Sequence, residues 1–538
     1  MKPSQLERLK FSRLVRTGAD QQIEDLTNDS RKVRERWLYA ALPGAHVDGH
    51  AFIDDSVNAG SVAILCSKIP ASIPDSVAIF QSDRPRLALS ELSHLIHGRP
   101  SERVTVIGVT GTDGKTSTVY FIYQLLTKLG LRAGFLSSAA SDDGNGERAN
   151  ALHQSTPEAP EVHRTLATMI ENGMQYAVIE STSHGLSTKT ARLAHVNYHA
   201  GVLTNMSHEH LEFHGSFDQY RHDKANLFRA LDHTGYAYAG EAADRDVAGL
   251  DASGTSDAAS ERDEHKPITI DAIAGQRFAV ANADDATLAY FRASTGKPCL
   301  TYGTGSASLS AQKIELNATG SRFELHAVGH APIACEIQVP GLFSVYNALA
   351  ALGAVAAATG EPIERVAGLL SEVKSVRGRM NVICTAPFSL VVDFAHTPGS
   401  FEAILPFFAN KTLGKLIVVF GSAGDRDVQK RPVQGRIACE HADVVILANE
   451  DPRSEEPTRI LEEIASGCTG HSTKPHIELI PPRREAIRRA IALADVGDTV
   501  LLLGKGHETS IMGRDNEEPW NEIEVAREEL VRAGFEAN

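Results

Sequence analysis

An apolar run, a glycine-rich turn and a Lys-Thr pair together constrain this chain more than any other feature. Residues 104–110 are mostly β-branched and predict a buried strand, and the apolar residues from Tyr120 onward predict a helix. Backbone N–H groups in such a turn, next to a helix N-terminus, attract phosphate. The pattern therefore predicts a P-loop, although an ordinary strand–turn–helix is the alternative. The turn reads Gly111-Thr112-Asp113-Gly114-Lys115-Thr116-Ser117.

Within this turn, Lys115 is expected to reach the β- and γ-phosphates of a nucleotide, and the Thr116 hydroxyl is expected to bind Mg²⁺. The glycine spacing, with two residues between Gly111 and Gly114, is tighter than that of the common P-loop. A strand, glycines, Lys-Thr and a helix nevertheless follow one another in the required order.

Composition sets the class of protein. With 538 residues, and about 100–200 residues per domain, we expect three or four domains. A formal net charge of −15 argues against a general nucleic-acid binder. The start of the chain lacks an apolar signal segment, and no apolar run reaches the ~20 residues that span a bilayer. These features predict a soluble, cytoplasmic protein without a membrane or nucleic-acid partner.

The cysteines give a further expectation about the compartment. The chain has six, scattered and without a CxxC pair, which is typical of reduced thiols in a cytosolic protein. They are Cys66, Cys299, Cys335, Cys384, Cys439 and Cys468.

The order of strand and helix signals divides the chain into three predicted α/β domains. Residues 1–100 read as a small α/β unit, and residues 101–377 as a central P-loop domain with a parallel sheet. In residues 378–538, continuous apolar strands alternate with helical segments, which indicates a doubly wound, Rossmann-like parallel sheet. Residues 241–266 are polar and acidic and predict a flexible surface insert.

Polar residues at strand ends mark the candidate sites in the central region. Glu180 ends an apolar strand, where a carboxylate next to a P-loop suits Mg²⁺, although a solvated strand end is the alternative. His208, His210 and His214 invite a zinc reading, but no further ligands complete a tetrahedral set. Lys224 lies on a helical stretch and by itself reads as a surface lysine.

Four strand ends in the C-terminal region also carry polar signals. Because ligands bind beyond the carboxyl ends of parallel strands, we expect all four polar segments to lie at one binding site. The Gly421-x-x-Gly424 spacing is only a weak dinucleotide fingerprint. The signals are His396, the segment 421–426, Glu450-Asp451-Pro452-Arg453 and Gly504-Lys505-Gly506-His507-Glu508.

Taken in order, these motifs resemble the Mur ligase family, and most closely its members that add the third, diamino residue of the peptidoglycan stem peptide. The resemblance runs over nearly the whole chain. It rests on 29–31 (Asp-Ser-Arg), 111–116 (Gly-Thr-Asp-Gly-Lys-Thr), 180–184 (Glu-Ser-Thr-Ser-His), 204–215, 378–380 (Gly-Arg-Met), 393–398 (Asp-Phe-Ala-His-Thr-Pro), 424–432 and 504–508.

The resemblance implies an ATP-dependent amide ligation. A carboxylate of a uridine-linked muramoyl dipeptide attacks the γ-phosphorus of ATP, and the amine of a diamino acid then displaces phosphate from the acyl phosphate. By position, Thr116 and Glu180 match one Mg²⁺ site, His210 contributes to a second, and Lys224 matches a lysine that is carbamylated in the family. Lys115, Lys224, His210 and Glu180 are thus the implied catalytic residues.

The resemblance also implies the binding residues for the small-molecule substrates of a monomeric enzyme. The residues expected around adenine, ribose and phosphates, besides 111–117, are Asn347, Arg379, Asp393 and His396. Those expected at the uridine-muramoyl site are Ser30, Ala45, His46, Val47, Ser155, Thr156, Thr182 and Arg192. Those expected around the incoming amino acid are Arg426, Glu450, Asp451, Pro452, Arg453, Gly504 and Glu508.

Several residues depart from the family pattern. Glu209 stands where family members usually have Asp, Asn381 stands where they usually have an acidic residue, and an Asn-Ala-Asp-Asp box at 282–285 arrives late. The amino-acid box of diaminopimelate-adding members is Asp-Asn-Pro-Arg, whereas this chain has Asp451 in place of Asn.

The box bears on the choice of acceptor. Arg453 could pair bidentately with the distal carboxylate of meso-diaminopimelate, which lysine lacks. The charge of Asp451 is expected to weaken that attraction or to favour a basic end. We therefore expect meso-diaminopimelate, with L-lysine or ornithine as alternatives. Another Mur-type or folylpolyglutamate-type ligase and a non-catalytic nucleotide-binding paralogue are the competing functions.

Overall fold

The computed structural model describes residues 1–6, 8–44, 47–150, 156–207, 211–233, 267–317, 319–468 and 475–536. The predicted acidic insert at 241–266 lies outside these residues. The described part contains three main sheets, one in each of the three regions of the chain, and a small two-stranded sheet. All three main sheets are dominated by parallel pairing, and the fold is of the α/β class with three domains.

The N-terminal sheet has five strands in the order β1-β5-β4-β3-β2. Strands β2 to β5 are parallel, and β1 joins the edge antiparallel to β5. The strands are β1 (Arg13–Arg16), β2 (Asp25–Thr27), β3 (Trp37–Ala40), β4 (Ala63–Cys66) and β5 (Ala78–Gln81), and the helices are α1 (Ile53–Asn58) and α2 (Pro85–Ile96).

The central sheet has eleven strands in the order β16-β15-β14-β13-β12-β11-β6-β10-β7-β8-β9. The run from β14 to β7 is parallel, as the sequence predicts, whereas both edges are antiparallel. The strands are β6 (Thr105–Thr110), β7 (Ala133–Leu136), β8 (Ala140–Asp142), β9 (Arg148–Ala149), β10 (Tyr176–Glu180), β11 (Ala200–Leu203), β12 (Phe278–Asn282), β13 (Cys299–Gly303), β14 (Leu309–Leu316), β15 (Ser321–Ala327) and β16 (Ile333–Ile337).

The described helices of the central region flank this sheet. They are α3 (Lys115–Lys128), α4 (Ala159–Glu171), α5 (Ser183–Leu186), α6 (Leu211–His214), α7 (Phe217–Arg229), α8 (Leu288–Ala293), α9 (Leu342–Thr359) and α10 (Ile363–Gly368). By length and composition, α9 is apolar enough to cross a membrane. Its apolar residues, however, are largely buried against α3 and the sheet, where a core helix needs them.

The C-terminal sheet has six strands in the order β17-β18-β22-β19-β20-β21, parallel except for β17. Helices cover it in two groups, one containing α11, α12 and α13 and the other α14 and α15, so the predicted doubly wound architecture is confirmed. The elements are β17 (Asn381–Cys384), β18 (Ser389–Val392), α11 (Pro398–Lys411), β19 (Leu416–Phe420), α12 (Lys430–His441), β20 (Val444–Leu447), α13 (Pro457–Ala465), β21 (His476–Leu479), α14 (Arg483–Leu493), β22 (Thr499–Leu502), β23 (Ser510–Met512), β24 (Glu517–Pro519) and α15 (Glu522–Arg532).

One pair of cysteines is oxidised, so the expectation of reduced thiols is wrong for that pair. Cys439 of α12 and Cys468 form a disulfide across 29 residues of sequence. The two segments can approach because Gly435 and Gly467 lie at their contact, where a Cβ atom would collide with backbone carbonyls. Sequence spacing did not reveal the pair because the contact forms only when α12 packs on the following segment. The other four cysteines are unpaired in the described structure.

Buried histidines lie where α2 of the N-terminal region packs on α4 of the central region. The ring of His163 on α4 is fully buried and its centroid is 5.4 Å from that of His94 on α2. Burial lowers the pKa of His195 to about 3 and holds the pKa of His163 well below its ordinary value, with a further contribution from neighbouring imidazoles. Two carboxylates contact histidines at the edge of this group: Glu102 lies 3.3 Å from His94 and Asp25 lies 3.1 Å from His97.

We expect this packing to weaken in acid. The unfolded chain binds protons at these imidazoles near pH 6.5 and the folded chain does not, so stability is complete above that pH and is lost as the pH falls below it. One such histidine lowers the free energy of unfolding by about 1.4 kcal/mol at pH 5.5. Urea unfolding of the parent and of His163→Leu at pH 7.5 and 5.5 measures this difference, which is expected to shrink by about that amount in the variant. His476→Leu, at an exposed position, is the control, and an unchanged pH dependence in His163→Leu would contradict the assignment.

Candidate active site

A single cavity of about 1020 Å³ lies at the carboxyl ends of strands from both the central and the C-terminal sheets. Each of the four polar strand-end segments of the C-terminal region contributes residues to this cavity, as the sequence predicts. Among the predicted site residues, those that line the cavity are Thr112, Asp113, Gly114, Lys115, Thr116, Ser117, Thr156, Glu180, Thr182, Arg192, Lys224, Asn347, Arg379, Asp393, His396, Arg426, Asp451, Arg453 and Glu508.

The remaining predicted site residues fall into two groups. Gly111, Glu450, Pro452 and Gly504 lie in the loops that carry lining residues, whereas Ser30 and Val47 lie near the carboxyl ends of the N-terminal sheet and do not line the cavity. Ala45, His46, Ser155 and His210 lie outside the described residues.

The P-loop forms because two glycines allow backbone that other residues would resist. Strand β6 ends at Thr110 and α3 begins at Lys115, with Gly114 at φ +80° immediately before the helix. A Cβ atom on Gly114 would collide with the Asn347 side chain, and one on Gly111 would collide with that of Thr204. The loop is therefore packed closely against Thr204 and Asn347, and the N-terminus of α3 faces the cavity.

The first turn of α3 meets the end of β10. The Thr116 hydroxyl lies 3.0 Å from Oε2 of Glu180, and the backbone N–H of Ser138 donates to the same oxygen at 2.8 Å. The Lys115 ammonium group donates to the Thr112 carbonyl at 2.5 Å, so it lies over the loop. A hydroxyl and a carboxylate beside a lysine form a site of hard oxygen atoms next to a phosphate cradle, which fits Mg²⁺.

Lys224 is buried, which corrects the reading of it as a surface lysine. It is 1% exposed, and its Nζ donates to the Gly111 carbonyl at 2.5 Å and lies 4.5 Å from the Tyr220 ring centroid. The helix that carries it, α7, is held by a buried pair in which Nδ1 of His214 is 2.7 Å from Asp223. α7 is thus packed directly under the P-loop.

The described part of the chain does not support a zinc site at the histidine cluster. His214 is engaged with Asp223, and His208 and His210 are not described. Within the described ranges, no group of three or more His, Cys, Asp or Glu side chains is arranged to hold a metal ion.

A partly buried aromatic–cation contact forms the wall of the cavity on the C-terminal side. The Arg379 guanidinium lies 4.2 Å from the Phe394 ring centroid. Asp393 accepts hydrogen bonds from the backbone N–H groups of Met380 and Ala395 at 2.8 and 2.7 Å. Burial raises the pKa of Asp393, and the Arg379 charge opposes that rise.

The loops after β20 and β22 meet through a buried lysine that the sequence reading did not assign. Lys505 Nζ is 2.8 Å from Oδ1 of Asp451 and 2.6 Å from Oε2 of Glu508. The charge of Asp451 is therefore paired, which corrects the expectation that it opposes Arg453 as an open negative charge. Burial raises the pKa of Glu508, and the Lys505 ammonium opposes that rise.

Thr156, Thr182 and Arg192 come together at another edge of the cavity. The two threonine hydroxyls are 2.8 Å apart, and Arg192 donates to the Thr156 carbonyl at 2.9 Å. Arg192 also pairs with Glu158 at 2.8 Å. The cluster faces the same space as the P-loop.

His507 is a further residue that the sequence reading missed. It is buried and lines the cavity together with Ser138 and Glu180 of the central region. Burial, with the nearby charge of Arg379, lowers the pKa of His507 well below its ordinary value. The available signal was the polar run 504–508 at a strand end, which did not distinguish the members of the run.

The fold and this cavity define a P-loop protein of the α/β class with a charged second site facing the nucleotide cradle. Three family models match the chain: the Mur ligase family catalytic domain at residues 22–96, the Mur ligase middle domain at 109–248 and 267–355, and the Mur ligase glutamate ligase domain at 378–506. The chain belongs to the Mur ligase family.

Relatives match it over nearly their full length. A UDP-N-acetylmuramyl-tripeptide synthetase of Treponema denticola is 40% identical, with 95% of this chain and 94% of the relative covered. A UDP-N-acetylmuramoyl-L-alanyl-D-glutamate–2,6-diaminopimelate ligase of Geobacillus kaustophilus is 35% identical, with 93% and 94% covered. A solved structure of a ligase with that second name has a TM-score of 0.62 at 24% identity, covering 96% of each chain, and this likeness concerns the fold.

We expect Gly114→Ala to weaken ATP binding by about tenfold, because the left-handed backbone costs about 1–2 kcal/mol with a Cβ atom and the new methyl group meets Asn347. Gly130→Ala is a matched control at the other end of α3, with φ +82° and no atom within 4 Å of the added Cβ. It should lose stability but keep the parent affinity. Titration calorimetry with ATP measures both, and equal affinities for the two variants would contradict the assignment of the loop.

Proposed function

We propose that this protein is an ATP-dependent ligase that adds a diamino acid to UDP-N-acetylmuramoyl-L-alanyl-D-glutamate in peptidoglycan precursor synthesis. The observation that carries the proposal is that one cavity contains both the P-loop and the charged loops of the C-terminal sheet. A ligase needs this arrangement because the carboxyl group activated by ATP must meet the incoming amine without leaving the site. The printed names of the full-length relatives support the same reaction.

The chemistry accounts for the residues around the P-loop. The dipeptide carboxylate attacks the γ-phosphorus, so ADP leaves and an acyl phosphate forms. The amine then attacks the acyl carbon, and phosphate leaves through a tetrahedral intermediate. Lys115 and Arg379 supply positive charge towards the space where the phosphoryl group transfers. Asn347, Asp393 and His396 would contact the rest of the nucleotide.

Mg²⁺ is the metal that we propose for the site. The Thr116 hydroxyl and the Glu180 carboxylate would hold it, since their oxygens already lie 3.0 Å apart. When bound, the ion supplies positive charge to the phosphate oxygens. His210, outside the described residues, remains the candidate for a second ion, and carbamylation of Lys224 would convert a buried ammonium into an anionic oxygen ligand beside Gly111.

We propose that the acceptor side of the cavity binds both ends of the incoming amino acid. Arg453 would pair with a distal carboxylate, and Glu508 would accept a hydrogen bond from an ammonium group. Nε of Arg453 is buried without a hydrogen-bond partner among the described residues, which leaves it available to a ligand. We propose meso-diaminopimelate as the acceptor, with L-lysine and ornithine as the alternatives. Arg426, Glu450, Pro452 and Gly504 would complete this side.

The uridine-muramoyl substrate is proposed to extend from the cavity to the N-terminal sheet. Thr156, Thr182 and Arg192 would contact it near the P-loop, together with Ser155. Ser30 and Val47 would contact the uridine end, since they lie near the carboxyl ends of the N-terminal strands. Ala45 and His46, which lie outside the described residues, would complete this contact. We place the domain boundaries near residues 100 and 377, between the three sheets, and propose a cytoplasmic monomer.

Phosphate release in the presence of Mg²⁺-ATP tests the function. We expect release to require both UDP-N-acetylmuramoyl-L-alanyl-D-glutamate and an amino acid, with the mass of the product identifying the acceptor in a panel of meso-diaminopimelate, L-lysine and L-ornithine. Lys115→Ala should abolish ligation, because the phosphoryl group loses its fixed counter-charge. Lys128→Ala, at the other end of α3, should retain it. Phosphate release without either substrate, or a ligation rate of Lys115→Ala within tenfold of the parent, would contradict the proposal.

A further inference from the structure

Lys505 is a completely buried charge on the acceptor side of the cavity. Its side chain is 0% exposed, and Nζ contacts one carboxylate oxygen of Asp451 and one of Glu508. An ammonium group in such a place is tolerated only when carboxylates offset its lost hydration. The two contacts at 2.8 and 2.6 Å provide that compensation.

The two carboxylates come from loops of strands that are not neighbours. Asp451 follows β20, whereas Glu508 follows β22 together with Lys505, and β19 lies between these two strands in the sheet. The ion pair therefore connects two loops at the carboxyl end of the sheet, one on each side of β19. It also includes the loop after β19, because the Gly424 backbone N–H donates to the Asp451 carbonyl at 2.8 Å.

Asp451 has further contacts that transmit its position. Its Oδ1 accepts from the Met512 backbone N–H at 2.9 Å, and the Arg453 backbone N–H donates to the Met512 carbonyl at 2.9 Å. Arg453 itself has φ +52°, a strained value for a side chain of its size. Lys505 pairs with Asp451, Asp451 binds the backbone of Met512, and Met512 accepts a hydrogen bond from the backbone of Arg453. Lys505 therefore helps to fix the orientation of Arg453.

The charge balance of the cluster points to a cationic ligand beside Lys505. Asp451 and Glu508 contact the Lys505 ammonium group, and a third carboxylate, Glu450, lies beside Gly504 with its Oε2 buried and without a hydrogen-bond partner in the described part of the chain. A second ammonium group, that of the incoming diamino acid, would offset the excess of negative charge.

We infer that Lys505 is a positioning residue for the incoming diamino acid: its buried ammonium group joins Asp451 to Glu508 and so holds the two acceptor loops in one arrangement. This inference rests on the proposed function. It also predicts the effect of Asp451→Asn. Removing that carboxylate breaks the pair with Lys505 and weakens acceptor binding, instead of relieving a repulsion near Arg453.

The test compares Michaelis constants of the full-length enzyme for its three substrates. Lys505→Met should raise KM for the acceptor by about ten- to a hundredfold, the range expected for losing a charge-assisted contact. KM for ATP and for the uridine-linked dipeptide should stay within about twofold of the parent. Lys415→Met is the matched control, because Lys415 also joins two carboxylates, Asp495 and Asp498, but at the opposite end of the same sheet. It should leave all three constants unchanged.

A double variant tests whether Lys505 and Asp451 act as a unit. Lys505→Met with Asp451→Asn should raise the acceptor KM no more than the worse single variant, because both changes remove the same contact. Effects that multiply, a similar rise in all three constants, or no change would each overturn the inference. If Lys505→Met does not fold, Asp451→Asn alone decides, since it keeps the lysine and the shape of the side chain. A parent enzyme that ligates no diamino acid would overturn the proposed function, and the inference with it. An active parent whose variants miss the predicted pattern overturns the inference alone.

Discussion

The contact between the Thr116 hydroxyl and the Glu180 carboxylate is the one on which the rest of the active site depends. It joins the first turn of α3 to the end of β10, and β10 pairs in parallel with β6, the strand that leads into the P-loop. Parallel neighbours end at the same edge, so the phosphate cradle and the carboxylate meet without any long connecting loop. The other parts of the cavity are placed against this edge. α7 brings Lys224 to the Gly111 carbonyl, and His507 of the C-terminal region lines the same cavity as Ser138 and Glu180.

Buried charge is the cost of this arrangement, and the structure offsets it by local pairing. Lys224 donates to a carbonyl, Lys505 contacts two carboxylates, and Arg379 lies on an aromatic ring close to Asp393. Removing one partner of such a group leaves the other uncompensated, which is more damaging than removing both. The acceptor loops are therefore an electrostatic unit, and the identity of residue 451 has to be considered together with residue 505.

Local sequence patterns predicted the parts of the fold that depend on local physics. The strand, the turn and the helix around Gly111–Ser117 follow from β-branched residues, glycines and the Lys-Thr pair, and the C-terminal strands follow from their apolar runs.

Contacts between distant segments could not be read in the same way. The pairing of Lys505 with Asp451 and the disulfide of Cys439 with Cys468 depend on how strands and helices stack. The burial of Lys224 is similar, because a helix shows which side faces the protein only after its neighbours are known. The candidate site residues came largely from resemblance to a family, and the structure adds which of them share one cavity.

The central claim is that ATP activates the dipeptide carboxylate as an acyl phosphate inside this cavity. The most direct measurement uses uridine-linked dipeptide whose reacting carboxylate carries ¹⁸O at both oxygens, followed by mass spectrometry of the released phosphate. The account predicts that each phosphate carries one ¹⁸O atom from that carboxylate, because the bridging oxygen of the acyl phosphate leaves with phosphorus when the amine attacks. Phosphate released without the label, with one labelled oxygen in the amide carbonyl and the other lost as water, would contradict it.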